Sequence, residues 1–379
     1  MIPIALPILD GEEGEAARRT VLSGWLSQGP QVAAFEHEFA ALVGASYACA
    51  VSNCTAALHL ALRAIGVGPG DEVVTASHSF IASANSIRYC GATPVFVDID
   101  PSTYNLDPER VAEAITERTR AILVVHQMGM PCDLAALKAL ADRHQISLIE
   151  DAACAAGSQI RIDGLWDWIG KPHGQIACFS FHPRKVITTG EGGMMATGSV
   201  DLDQKFKLLR QHGMSVPDTV RHGSQQVIFE DYLEVGFNYR MTDMQAAIGR
   251  KQLERLTDIV SRRRALAGLY AELLGNIEGL SLPFEPEWAR SNWQSYCVRL
   301  PDRVDQRAVM QSLLDQGIAT RRGIMCAHRE VPYAHEKQRH DLCQSELAQD
   351  RSILLPIYAQ MVEEDQVRVA DALKATLRN

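Results

Sequence analysis

From Phe35 to about Val200 the chain alternates helical and strand periodicity, and this alternation constrains its fold more than any other feature. A helix over 56–65 precedes a strand over 72–76, and a helix over 81–89 precedes a strand over 94–98. The pattern repeats with a helix over 108–115 and a strand over 121–125, then a helix over 134–144 and a strand over 147–150. Strands separated by helices do not pair as hairpins; they enter a mostly parallel sheet through crossovers, with helices on both faces. Ligands collect at the carboxyl ends of such strands. Asp151, His126 and the loop after Ala76 lie at such ends.

Beyond this region the pattern changes. A long helical stretch runs from Thr242, a suitable N-cap, to about Leu274. A strand over 295–300, a helix over 306–316, a strand over 318–320 and a final helix from about Glu363 follow. Residues 327–344 are polar and weakly periodic and read as a loop. The expected division is a large unit, 1–245 with an N-terminal arm, and a smaller α/β unit, 246–379. A chain of 379 residues with 46% hydrophobic content can bury two such cores. A net charge of -9 without a basic run argues against a nucleic-acid footprint. The start, Met1 to Pro7, has two prolines and no basic residue, unlike a signal peptide, and no apolar run is long enough to span a membrane. Nine cysteines lack a CxxC pair, and Cys49, Cys90 and Cys178 sit among apolar residues. They read as reduced core thiols of a cytoplasmic protein.

The chemistry concentrates at Ser180-Phe181-His182-Pro183-Arg184-Lys185, followed by Gly190-Glu191-Gly192-Gly193. Ile176 to Phe179 reads as a buried strand, so Lys185 leaves it beside glycines. A lysine in a partly dry pocket loses its proton more readily, as an imine-forming lysine must. Asp151 ends the upstream strand. A lysine to hold an aldehyde and a carboxylate to keep a pyridine nitrogen protonated are the pair that pyridoxal 5'-phosphate requires. Ser52-Asn53-Cys54-Thr55-Ala56 opens a helix, whose first N–H groups suit a phosphate or an ordinary cap. Thr55 and Ser180 can add hydroxyls. Phe80 is either a stacking platform for a planar ring or a helix-entry aromatic. Gly66, Gly68 and Gly70 follow a helix and precede a strand, the wrong order for a dinucleotide fingerprint, and read as a turn.

Ser180-Phe181-x-x-x-Lys185 with Gly190-Glu191-Gly192-Gly193 resembles the lysine motif of the DegT/DnrJ/EryC1/StrS sugar aminotransferases. So do Glu150-Asp151-Ala152-Ala153, Ser52 to Leu60, Gly236-Phe237-Asn238-Tyr239-Arg240-Met241-Thr242, Trp25 to Pro30, and Phe35-Glu36. The resemblance runs from about residue 20 to Leu355-Pro356-Ile357-Tyr358. It implies an aspartate-aminotransferase-like fold (fold type I of the pyridoxal-phosphate enzymes), with a large mostly parallel α/β domain and a smaller C-terminal one. By the same resemblance Lys185 is the Schiff-base lysine, Asp151 pairs with the pyridinium nitrogen, Phe80 stacks on the ring, and Thr55, Ala56 and Ser180 hold the phosphate. Asn238 would reach the phosphate from the neighbouring subunit of a homodimer. The implied reaction moves an amino group from an amino acid, L-glutamate by resemblance, to a nucleotide-linked keto sugar, with pyridoxamine 5'-phosphate between the halves and no metal. The product would be an amino sugar for surface polysaccharides or glycoconjugates.

Two positions depart from the family pattern. Cys154 stands where Gln or His often serves the cofactor's phenolic oxygen, and Cys54 stands where the phosphate turn usually has Gly, so the turn is expected to shift. Candidate substrate contacts are His182, His328, Arg240 and Arg321, the arginines because guanidinium forks suit phosphate and carboxylate alike. Trp166 and Trp168 line the site as a lid or cap the core. Rival readings are a catalytically silent cofactor-binding regulator, an amino-acid aminotransferase of the same fold, and a pyridoxamine-phosphate-dependent sugar dehydratase. The last carries His where this chain has Lys185.

Overall fold

The computed structural model describes residues 1–378. The chain opens with α1 (Gly11–Ser23) and α2 (Pro30–Val43), then alternates β1 (Tyr47–Val51), α3 (Cys54–Ala64), β2 (Glu72–Ala76), α4 (Ala82–Tyr89), β3 (Thr93–Val97), α5 (Pro108–Ala114), β4 (Thr119–Val125), α6 (Leu134–His144) and β5 (Ser147–Asp151). A hairpin of β6 (Gln159–Ile162) and β7 (Leu165–Trp168) precedes β8 (Ile176–Ser180), β9 (Gly193–Thr197), α7 (Val200–Leu209) and α8 (Asp218–Gly223). The C-terminal part holds α9 (Asp243–Glu254), α10 (Leu256–Leu274), β10 (Ala289–Arg290), β11 (Tyr296–Arg299), α11 (Gln306–Asp315), β12 (Arg321–Arg322), α12 (Cys343–Arg351), β13 (Ser352–Leu355) and α13 (Glu363–Arg378). No helix among the described residues is long and apolar enough to cross a membrane.

Seven strands form the large sheet in the order β1-β9-β8-β5-β4-β2-β3. Pairing is parallel from β8 through β5, β4 and β2 to β3, whereas β9 runs antiparallel to both β8 and β1. Strands β2, β8 and β9 are buried at every residue, as expected where helices cover both faces. The helices start where short polar side chains take an orphan N–H: Asn53 for α3, Asp133 for α6, Ser199 for α7 and Asp305 for α11. The smaller sheet, β11-β13-β12, is antiparallel and shares a core with α10, α11 and α13. Ile2 is buried in that core and bridges to Ile318.

Three expectations need correction. The long helix from Thr242 is two helices that meet at Arg255. Thr242 does cap the first, in a reciprocal capping box with Gln245. Arg255 keeps near-helical angles (φ -99°, ψ -6°), so the apolar period continues across the joint. The joint turns the chain from one core to the other: Leu256, Ile259 and Val260 pack under the large sheet, and Leu266 to Leu274 pack in the smaller core. The strand expected over 318–320 lies at Arg321–Arg322, since that pair meets Leu354 and Ile353 of β13 while Ile318 makes only its bridge to Ile2. Residues 327–344 are not a plain loop. They begin with a 3-10 turn, Ala327–Arg329, and end in α12, and Tyr333 and Leu342 are buried with Ala84 and Phe96.

One contact closes the fold across 214 residues. The Asp243 carboxylate, at the start of α9, accepts the N–H groups of Gly29 (2.7 Å), Gln31 (3.1 Å) and Val32 (2.9 Å) at the start of α2. Gly29, the N-cap of α2, has no side chain to do this. Asp243→Ala is therefore expected to destabilise the chain by about 2 kcal/mol, with Asp243→Asn between it and wild type, read as midpoints of denaturant unfolding. Equal midpoints for all three would show that the cap contributes nothing.

Candidate active site

The carboxyl ends of β5 and β8 open, as the parallel order requires, into one cavity of about 780 Å³. Its wall brings together Thr55, Ala56, Phe80, Asp151, Cys154, Ser180, His182, Lys185 and Arg321, nine of the residues singled out from sequence. Three other candidates, His328, Asn238 and Arg240, are not in it. His328 is tied down elsewhere: its Nδ1 lies 2.6 Å from Ser77 Oγ and its Nε2 2.9 Å from Glu346 Oε1, a clamp between the loop after β2 and α12. Asn238 bridges to Gln211 through its backbone, and its Oδ1 accepts from Arg240 Nε at 3.2 Å. Trp166 and Trp168 do not line the cavity. Trp166 lies under the Arg290 guanidinium at 4.0 Å, and Trp168 packs against the main core.

Asp151 is buried at the end of β5. Its Oδ2 accepts from Ser83 Oγ at 2.7 Å and its Oδ1 from the Ala153 N–H at 3.1 Å. Burial pushes its carboxyl above the ordinary range, and the Ser83, Ala153 and Lys185 contacts oppose that push. Ser83 was not recognised from sequence, because nothing in its spacing distinguishes it from any other serine on a helix.

Lys185 sits one turn past β8, with its Nζ 3.0 Å from Cys154 Sγ. Burial pulls its pKa down, as expected, but Cys154, Asp151 and Cys54 outweigh burial and hold the amine above its ordinary value. The expectation of a readily lost proton is thus reversed for the chain alone: the amine is half-buried among groups that favour its charge.

At the start of α3, Asn53 Oδ1 accepts the Ala56 N–H at 2.9 Å, so that amide is already committed. The N–H groups of Cys54 and Thr55 have no acceptor among the described residues and remain as donors at a helix N-terminus. Cys54 does not obstruct them: its buried thiol turns toward the Cys178 carbonyl of β8, 3.7 Å away. Close packing of β9 against this turn depends on Gly193, where a Cβ would come within 2.5 Å of the Asn53 carbonyl carbon.

Phe80 is 64% exposed at the rim, which excludes a core role. His182 is part-buried, and its Nδ1 accepts the Arg184 N–H at 3.2 Å. Burial lowers its pKa, and the Arg184 and Lys185 charges act in the same direction. The wall also contains Gln127, Arg184, Glu191, Tyr239, Gln294 and Arg322, which sequence reasoning did not single out. A half-buried amine, a buried carboxylate and free amides at a helix start match an aldehyde, a ring nitrogen and a phosphate, and pyridoxal 5'-phosphate carries all three.

All nine cysteines are free; Cys343 is exposed, Cys154 is half-buried, and the rest are buried. Native-state maleimide labelling read by peptide mass is expected to modify Cys343 first and Cys154 next. Modification of Cys54 or Cys178 ahead of Cys154 would contradict their burial.

Comparison with known proteins agrees with this geometry. The chain is 40% identical over 383 residues to GDP-perosamine synthase of Caulobacter vibrioides, covering 99% of this chain and 98% of that protein. It is 38% identical over 381 residues to the spore coat polysaccharide biosynthesis protein SpsC of Bacillus subtilis, covering 98% and 96%. The crystal structure of the aminotransferase TlmJ from Streptoalloteichus hindustanus superposes with a TM-score of 0.91 at 34% identity, over 100% of this chain and 99% of that one. The sequence profile of the DegT/DnrJ/EryC1/StrS aminotransferase family matches residues 7–374, and with relatives of this identity along nearly its whole length the chain belongs to that family of pyridoxal-phosphate-dependent sugar aminotransferases.

Proposed function

We propose that the chain transfers an amino group from L-glutamate to a keto sugar carried on a nucleotide, using pyridoxal 5'-phosphate held in the cavity with Lys185 as the attachment point of its aldehyde. The single observation that carries this reading is that Lys185 and Asp151 meet in one cavity with the free amides of α3. When bound, the cofactor supplies an electron sink for the carbanion formed at the donor's alpha carbon.

The residues around it then have separable tasks. The amides of Cys54 and Thr55, with the hydroxyls of Thr55 and Ser180, hold the phosphate against the dipole of α3. Asp151, fixed by Ser83 and the Ala153 N–H, keeps a proton on the ring nitrogen. The Lys185 amine would serve as the base that takes a proton from the donor's alpha carbon and, protonated, as the acid that delivers one to the acceptor's carbon. Phe80 closes one face of the ring at the rim. Cys154, close to the lysine nitrogen, is the nearest thiol to the reacting end of the site.

The segment before Asn238 supports a homodimer. Val227 (85% exposed), Phe229 (89%) and Val235 (80%) present apolar side chains to solvent on the chain alone. A second copy covering them would bring Asn238 of the partner subunit to the phosphate. The free thiols, most of them buried, fit a reducing compartment, and we place the enzyme in the cytoplasm.

With cofactor added, the protein should show an absorbance band that L-glutamate shifts. Lys185→Ala should abolish turnover, and Asp151→Asn should lower kcat by roughly 10²-fold or more. A band that no amino donor shifts would favour a silent cofactor-binding regulator, and turnover retained by Lys185→Ala would remove the mechanism. Sedimentation should give twice the 41.7 kDa chain mass; a monomer that turns over at full rate would refute the shared site.

A further inference from the structure

The cavity wall carries three arginines, Arg184, Arg321 and Arg322, at its solvent end. All three are exposed, whereas Asp151 is buried and Lys185 half-buried. Arg322 has a partner, Glu330, at 3.4 Å. Among the described residues neither Arg184 nor Arg321 has a carboxylate within ion-pair distance. The wall's own carboxylates, Asp151 and Glu191, do not pair with them: Asp151 is bonded to Ser83 and Ala153, and neither comes within ion-pair distance of Arg184 or Arg321. Burial and the neighbouring charges of Arg184 and Arg322 hold the Arg321 pKa below its ordinary value. Arg184 and Arg321 are thus neighbouring like charges, neither with a counterion of its own, in a chain whose net charge is -9.

The backbones that carry these side chains are fixed. The Arg184 carbonyl accepts from Gln294 Nε2 at 3.0 Å, and its N–H donates to His182 Nδ1. Gln294 is held in turn by buried Arg263, whose Nη2 donates to the Gln294 carbonyl at 2.7 Å and whose Nε donates to that of Trp293 at 2.9 Å. Arg321 is set by its pairing with Leu354 in the smaller sheet. Two guanidinium groups are thus presented to one cavity from clamped backbone, with their donors unused. Such a pair is built for an oxyanion, because guanidinium forks match phosphate and carboxylate oxygens.

We propose that Arg184 and Arg321 form an oxyanion-binding subsite at the cavity mouth. It receives an anionic group carried several bonds from the reacting carbon. The donor's alpha carboxylate hangs on the carbon that must reach half-buried Lys185, whereas both arginines are exposed, so a group further along the ligand is the better match. Two sources supply an anion at the right remove: the diphosphate of a nucleotide-linked sugar and the distal carboxylate of a dicarboxylic amino donor. The proposal rests on the reading of this cavity as a sugar aminotransferase site.

The test is calorimetric titration of the holoenzyme with inorganic pyrophosphate and, separately, with 2-oxoglutarate, on wild type and on the double variant Arg184→Ala/Arg321→Ala. The cofactor absorbance of both proteins is recorded to show that the site is loaded. The expected result is binding to wild type that weakens about tenfold or more in the double variant, by a margin that shrinks as salt rises. Weakening for pyrophosphate alone assigns the subsite to the carrier diphosphate, and for 2-oxoglutarate alone to the donor's distal carboxylate; weakening for both assigns it to the two in turn. Equal affinity of the two proteins for both probes overturns the proposal, as does a wild type that binds neither. Because the titration reads binding without turnover, a cofactor band silent to every amino donor would sink the transfer reading alone, and an unweakened double variant would sink the subsite alone.

Discussion

A buried carboxylate, Asp151, and a half-buried amine, Lys185, share one cavity, and each makes the other tolerable. Either alone would carry the full desolvation penalty of an isolated charge. Asp151 meets that penalty with a hydroxyl, a backbone N–H and the charge of Lys185; Lys185 meets it with Asp151 and the sulfur of Cys154. The arrangement exists because β5 and β8 are parallel neighbours, with Asp151 opposite Cys178 in register, so that both strands deliver their next residues to the same end of the sheet. The antiparallel β9 completes it: the glycine-rich turn that follows Lys185 returns the chain along β8, and Gly193 lets β9 lie against the start of α3.

Much of this was legible in the residues, for a definite reason. The alternation of periods in the large unit is a local signal, so most helices and strands there fall within a few residues of expectation. Lys185 and Asp151 could be found because each follows an apolar strand, and strand ends converge in a parallel sheet whatever the details of the crossovers. What stayed hidden depends on partners remote in sequence. The break at Arg255 has no periodic signature, since its backbone barely leaves helical geometry. Arg321 and Arg322 become a strand only because β13 lies beside them. His328 looks like a site residue until Ser77 and Glu346, 251 and 18 residues away, are seen to occupy both of its nitrogens. Ser83 carries no local mark at all; it matters because α4 points it at Asp151.

The two departures from the family pattern are absorbed differently. Cys54 is neutral in effect, because its thiol finds the Cys178 carbonyl and leaves the amides of the turn clear. Cys154 is not neutral. It places a polarisable sulfur beside the lysine nitrogen and so raises the proton affinity of that amine. The same cavity therefore sets Lys185 between the Asp151 carboxylate and the Cys154 thiol, both of which favour its charge.

The clasp of Asp243 on the first turn of α2 has a temporal consequence. As the polypeptide leaves the ribosome from its N-terminus, the residues of α2 emerge more than two hundred positions before the carboxylate that ends their helix. Throughout that interval the first turn of α2 has no side chain to hold it, and Phe35 and Phe39, which belong to the main core, wait for strands that are still being made. Non-local closures of this kind slow the approach to the native state. The nascent chain passes through a stage with an unfinished apolar surface, and that stage ends only when the α9 region has been translated.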